Sequence, residues 1–387
     1  GLGDVYKRQA FQADFKHFEK NNQLWLDDFA EFMAIKEYFG NQALQKWDDK
    51  KAVARDPKTL EKYRTMLAEQ IQYFKVTQYF FFKQWGELKD YANQKGIKII
   101  GDMPIYVAAD SVEVWTKPEL FQLDKERNPF FVAGVPADQF SATGQLWGNP
   151  LYAWKEHKKQ GYAWWIHRIE ESFKIYDVLR IDHFKGFSDY WQVDGKADIA
   201  KYGSWQPGPG YDLFKAVKEQ LGDLPIIAED LGNIDDKARK LLADCNYPGM
   251  KILQFGFEDV SGKSLDSPHY CIPHSIVYTG THDNDVTNGW YNGLTEQQQQ
   301  YINDYTHRSE DESICQAMIR QLFATVSNTA IATMQDVLDL PASSRMNVPS
   351  TIGGNWQWRM QQSDLTQDKK DFLEKMTTLY QRANQEK

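Results

Sequence analysis

Three short segments of the chain run from apolar, strand-favouring residues into carboxylates. They are Leu179-Arg180-Ile181-Asp182-His183-Phe184, Ile226-Ile227-Ala228-Glu229-Asp230 and Val277-Tyr278-Thr279-Gly280-Thr281-His282-Asp283-Asn284. Two carboxyl groups held about 5 to 5.5 Å apart on neighbouring strands can cleave a glycosidic bond with retention, one as nucleophile and the other as general acid and then base. Arg180 stands two residues before Asp182, so in a strand both side chains project to the same side. A guanidinium there keeps an aspartate ionised and oriented, as a nucleophile requires. Glu229 follows an apolar run, a setting that raises a carboxyl pKa and retains its proton for the acid step. Asp283 lies between His282 and Asn284, a grouping suited to sugar hydroxyls and to distortion toward an oxocarbenium-like transition state.

Each segment also has a plainer reading. Arg180 and Asp182 could be an ordinary ion pair, Glu229 and Asp230 could cap a following helix, and His282 with Asp283 could be a turn. Three such coincidences at strand ends are less economical than one shared site. A metal centre is the chemical rival, since barrel hydrolases gather His and Asp at the same face. The chain has no His-x-His pair, so no metal is expected.

The elements that must position these groups are short β-rich runs alternating with amphipathic stretches. Six strands are expected, at 97–107, 178–184, 224–231, 250–257, 276–281 and 330–338. Continuous apolar runs of this kind suit strands buried on both faces of a parallel sheet. Helical patterns fall at 25–38, 76–94, 163–175, 212–220, 235–243, 313–326 and 369–383. The β-then-α alternation points to a (β/α)8 TIM-type barrel, in which the active site lies at the C-terminal strand ends where Asp182, Glu229 and Asp283 fall. Residues 108–177 are too long for a simple crossover and read as an insertion of helices and loops into a catalytic barrel domain covering 10–387. Six strands do not close an eight-stranded barrel, and residues 1–9 do not resemble the rest. They are read as a non-native flank, and the barrel as N-terminally truncated.

Bulk properties exclude several classes. The 387-residue chain is long enough for one large barrel or two ordinary domains, and the motifs favour one barrel. A formal net charge of -9 argues against nucleic acid, whose binding needs clustered Lys and Arg. Cys245, Cys271 and Cys315 are odd in number and widely spaced, which fits a reducing cytoplasm better than a disulfide framework or a zinc site. No run of eighteen apolar residues indicates a membrane span, and no secretory signal pattern is evident. Aromatic residues make up 14% of the chain, more than core filling usually requires, and such rings stack well on sugar faces.

At these residues the chain resembles the 4-α-glucanotransferases (amylomaltases, disproportionating enzymes) of glycoside hydrolase family 77 in the α-amylase superfamily. The resemblance runs from about Phe15 to the C-terminus. It is carried by Trp25 to Ala30, Gly101-Asp102-Met103-Pro104-Ile105-Tyr106-Val107, Phe140-Ser141-Ala142-Thr143-Gly144-Gln145-Leu146-Trp147-Gly148-Asn149-Pro150, the three carboxylate segments and Arg345-Met346-Asn347-Val348-Pro349. It implies Asp182 as nucleophile, Glu229 as general acid/base and Asp283 as the aspartate that stabilises the transition state. It further implies that Arg180, His282, Asp110, Asp138, Trp147 and Asn347 contact the glucan, and that no cofactor is needed. The expected reaction is disproportionation, the transfer of α-1,4-linked segments between maltooligosaccharides. An α-amylase-like hydrolase and an inactive glucan-binding fragment are the alternatives. Ser350 and Ala153 depart from the Gly and Asp common at these positions, and the family carries over a hundred further N-terminal residues.

Overall fold

The computed structural model describes residues 2–137, 141–232 and 234–383, with side chains from residue 11 onward. It divides into two compact units. The first comprises Gly1–Ile226 and Asp236–Cys245, the second Ile227–Asp235 and Asn246–Lys387.

The first unit opens on the 37-residue helix Leu2–Tyr38, which packs along helix Ala68–Gln94. Phe11, Phe15, Phe18 and Trp25 recur at helical spacing on one face of the first helix. Three of them close around Tyr79, with centroids 5.5 to 5.7 Å apart, and Trp25 meets Phe82 at 5.5 Å. Strand β1 (Ile100–Met103) follows, then β2 (Phe131–Val135), β3 (Gln145–Pro150), helix Ala163–Ile175, β4 (Val178–Ile181), β5 (Asp189–Asp194), β6 (Gly203–Pro207) and helix Tyr211–Leu221; the chain passes from the first unit into the second within β7 (Ile226–Ala228). β1 pairs in parallel with β4 in a sheet of order β1-β4-β7. β2, β3, β5 and β6 form a separate antiparallel sheet of order β3-β2-β5-β6.

Gly101 in β1 is required by close approach, because a Cβ there would fall 2.1 Å from the Tyr176 ring. The backbone carrying that ring is held in place: Trp85 Nε1 donates to Ile175 O at 2.8 Å, and Lys89 Nζ donates to Tyr176 O at 3.1 Å. Leu179 and Ile181 in β4 have no exposed surface, as expected of a strand covered on both faces.

The second unit carries β8 (Gly249–Ile252), β9 (Ser275–Tyr278) and β10 (Thr329–Ile331), all parallel, in the order β10-β9-β8. Its core joins Leu253, Phe257, Val277, Ile302, Met318 and Leu322. Helices Glu296–Thr306 and Ile314–Ala324 both begin with capping boxes, Thr295 with Gln298 and Ser313 with Gln316. Arg382, beyond helix Gln367–Leu379, donates to the carbonyls of Phe323, Thr325 and Ser327.

All six strands expected from the sequence are present, in two sheets of an α/β fold, but every one is shorter than expected, and in two the apolar run continues as helix. The apolar run 250–257 leaves strand geometry at Ile252 and continues as helix Leu253–Glu258, whose Leu253 and Phe257 face the core. The run 330–338 ends its strand at Ile331, because Thr333 accepts the Asp336 N–H and caps helix Met334–Val337. The antiparallel sheet of β2, β3, β5 and β6 was not expected from the sequence: β2 and β3 lie within 108–177, the stretch read as helices and loops, and β5 and β6 follow at 189–207. Helix Leu2–Tyr38 runs through residues 2–9, the stretch read as a flank.

Candidate active site

In the first unit, Asp182 follows directly on β4 and its N–H donates to Met103 O at 3.0 Å. The parallel register sets Asp102 of β1 opposite Arg180. Arg180 Nη1 therefore donates to both carboxylate oxygens of Asp102, each at 2.6 Å, and to Asp182 Oδ1 at 3.0 Å. The guanidinium is 8% exposed, whereas the Asp102 and Asp182 side chains are 38% and 40% exposed. A buried cation thus orients two carboxylates that keep a solvent-facing side.

After Asp182 the chain turns through a left-handed residue, His183 at φ 51°. Trp147 of β3 stands edge-on to the His183 ring at 4.8 Å and donates from Nε1 to Gln145 Oε1. Burial, reinforced by the charge of Lys185, pushes the His183 imidazole down to about 4, so the ring is neutral at pH 7. The segment following β1 is pinned by Arg168, which donates to Pro104 O at 2.6 Å and Ile105 O at 3.0 Å, and by the Tyr152 hydroxyl, 2.7 Å from Ile105 O.

In the second unit, Glu229 emerges from β7 and its Oε1 accepts the Leu231 N–H at 2.7 Å. Its neighbour Asp230 turns inward and accepts the Met250 N–H at 2.7 Å, with burial pushing its pKa up. Asp283 is held by three residues. Asn347 Nδ2 donates to its Oδ1 at 2.6 Å, His282 Nε2 lies 3.3 Å from its Oδ2, and Arg345 donates to its backbone oxygen at 2.7 Å. Arg345 also donates to Asn347 O at 2.8 Å, which fixes the Asn347 segment against the loop carrying Asp283. Asn284 Oδ1 accepts from the Thr281 N–H and hydroxyl and closes the turn. Beside it lies a pocket of about 210 Å³, walled by Trp356, Met346, His282 and Gln335 among others. The Trp356 ring packs on His282 at 5.1 Å.

Of the residues expected to contact glucan, Arg180 and Trp147 gather around Asp182, and His282 and Asn347 around Asp283. Asp110 pairs with Lys36 and accepts the Leu44 N–H at 2.9 Å, so its oxygens tie the end of the first helix to the following loop. Asp138 lies outside the described residues. Sequence reasoning gave no role to Asp102, Arg345 or Trp356. Asp102 carried a usable signal, since it follows the apolar Ile99 and Ile100 near the end of β1, much as Asp182 follows its own apolar run. Among the described residues, the grouping able to hold a metal is His167, Glu170 and Glu171 on the outer face of helix Ala163–Ile175, where Glu171 also pairs with Lys174.

Residues 3–366 match the model of a glycoside hydrolase family described as 4-alpha-glucanotransferase. The 4-alpha-glucanotransferase of Streptococcus pneumoniae is 52% identical over 385 residues, which cover 99% of this chain and 75% of the relative. That of Clostridium butyricum is 43% identical over 95% of this chain and 76% of its own length. Among solved structures, the amylomaltase of Streptococcus agalactiae in complex with acarbose superposes with a TM-score of 0.96 at 56% identity, covering 99% of this chain and 77% of that one. The amylomaltase of Corynebacterium glutamicum, at 16% identity and a TM-score of 0.69, shares the fold. With more than nine-tenths of its length matched by the family model and one relative above 50% identity, this chain belongs to the 4-alpha-glucanotransferase family.

Proposed function

We propose that the chain moves α-1,4-linked glucan segments between maltooligosaccharides by a retaining, double-displacement reaction. The observation that carries the residue assignment is Arg180, a buried cation that holds Asp182 by one oxygen and leaves the carboxylate 40% exposed. A nucleophile needs that combination of orientation and access. In the first step Asp182 attacks the anomeric carbon of the donor while Glu229 gives its proton to the departing glycosidic oxygen. The bond to the leaving glucan breaks as the glycosyl ester on Asp182 forms. In the second step Glu229 takes the proton of an incoming 4-hydroxyl, whose oxygen displaces Asp182 and restores the starting configuration. Asp283, held by Asn347 and His282, accepts hydrogen bonds from sugar hydroxyls that strengthen as the ring flattens.

The six strands belong, in this reading, to a (β/α)8 barrel with the carboxylates at its C-terminal strand ends. Three free thiols, two of them buried, support a reducing cytoplasm as its setting.

Incubation of the purified chain with maltotriose tests the reading. Glucose together with a ladder of longer maltooligosaccharides is expected. Maltose and glucose without longer products would replace it by hydrolysis.

A further inference from the structure

Strand β6 is the edge of the antiparallel sheet, and it carries large aromatic surface into solvent. Trp205 within the strand is 43% exposed, and Tyr202 just before it is 72% exposed. Natural edge strands more often place charge or proline outward, because exposed apolar edges invite aggregation. These rings therefore call for a functional account.

The Trp205 ring is also unusually well supported. Trp191, its cross-strand partner on β5, lies behind it with centroids 5.2 Å apart and planes at 65°. The Trp191 indole is itself fixed, donating from Nε1 to Ala200 O at 2.7 Å. Residue 203 must be glycine for this, since a Cβ there would stand 2.7 Å from Trp191 Nε1. Lys185 completes the frame, with its ammonium 4.4 Å from the Trp205 ring centroid and paired with the Asp189 carboxylate. The frame thus holds an aromatic surface rigidly, with the paired Lys185 and Asp189 side chains, 11% and 14% exposed, at its rim. An apolar platform rimmed by a few polar groups matches a pyranose ring, which has C–H faces and an equatorial rim of hydroxyls.

Its position gives the platform a role. Lys185 is three residues beyond Asp182, in the single turn Phe184–Phe187 that leads from the nucleophile into β5. Trp205 is therefore anchored to the same loop as the reacting carboxylate.

We propose that Trp205 is a glucan-stacking residue that binds distal glucose units of chains engaged at Asp182 and thereby sets the preference for glucan length. This rests on the glucan-transfer reading above. A residue of this kind adds affinity only for substrates long enough to reach it, so its effect grows with chain length.

The test compares wild type, Trp205→Ala and Trp205→Tyr on maltotriose and maltoheptaose. In Trp205→Ala the loss of kcat/KM for maltoheptaose is expected to exceed that for maltotriose by about tenfold, entering through KM. Trp205→Tyr, which retains a ring, recovers most of it. Equal losses on both substrates, or failure of Tyr to rescue, would assign Trp205 a structural role and overturn the proposal. Calorimetric titration of maltoheptaose into Asp182→Asn chains, with and without Trp205→Ala, reads binding without turnover. Weaker binding of the double variant supports the stacking, and equal affinities refute it. Absence of disproportionation by wild type, in contrast, would count against the transferase reading.

Discussion

Arg180 offers the sharpest point at which to perturb this protein. Replacing it by methionine keeps an unbranched apolar stem in a site that is 7% exposed, but removes the guanidinium and the charge shared by Asp102 and Asp182. A hydrogen bond to a charged group contributes about 1.5 to 3 kcal/mol. If the contact to Asp182 is used fully in aligning the nucleophile, its loss slows turnover by about 10-fold to 150-fold. Both carboxylates are more than a third exposed, so water takes up part of the lost countercharge, and the cost to folding should stay near 1 to 2 kcal/mol. Lysine at 180 retains a charge but lacks the reach of the guanidinium and should fall between methionine and wild type. The assay is glucose release from maltotriose at saturation, with far-UV circular dichroism and a urea titration confirming that each variant is folded. A folded Arg180→Met chain with kcat within about threefold of wild type would refute the claim that this contact aligns the nucleophile.

Three further outcomes are expected. Asp182→Asn, Glu229→Gln and Asp283→Asn should each lower maltotriose turnover by at least about a thousandfold while leaving circular dichroism unchanged; substantial residual activity would remove that residue from its assigned role. Asn347→Ala deletes the 2.6 Å donor to Asp283 and should lower kcat/KM about tenfold, whereas an unchanged value would show that His282 and Arg345 hold Asp283 unaided. His157 has no exposed surface, bonds Leu120 O through Nε2, and is pushed by burial from 6.5 down to about 4. Between those values the unfolded chain binds the proton and the folded chain does not. Stability is therefore full above pH 6.5 and falls by roughly 3 kcal/mol as pH drops to 4. His157→Gln should flatten that slope in urea titrations, and an unaltered slope would place the acid sensitivity elsewhere.

The carboxylates were legible in the sequence because each ends an apolar run, and a strand buried on both faces leaves little else for such a run to be. The same logic overran at 250–257. Leu253 and Phe257 are buried as strand residues would be, but on a helix turn, and a short apolar run does not distinguish the two. Pairing was beyond reach. Asp102 becomes the partner of Arg180 only through the register of β1 on β4, which local sequence does not encode. Asn347 lies in a segment without regular structure and was legible only by resemblance, and Arg345 was given no role, because the bonds that use them join residues more than sixty apart in sequence.

The central claim is a glycosyl ester on Asp182. A Glu229→Gln chain treated with an α-maltosyl fluoride tests it directly, because fluoride departs without acid assistance and the missing base leaves the intermediate stranded. Peptide mass spectrometry should find one glycosyl group, on the peptide containing Asp182, and adding azide, an anionic nucleophile that needs no base, should release it as a glycosyl azide of retained configuration. A label on another residue, or an unlabelled chain whose product has inverted configuration, would contradict the account.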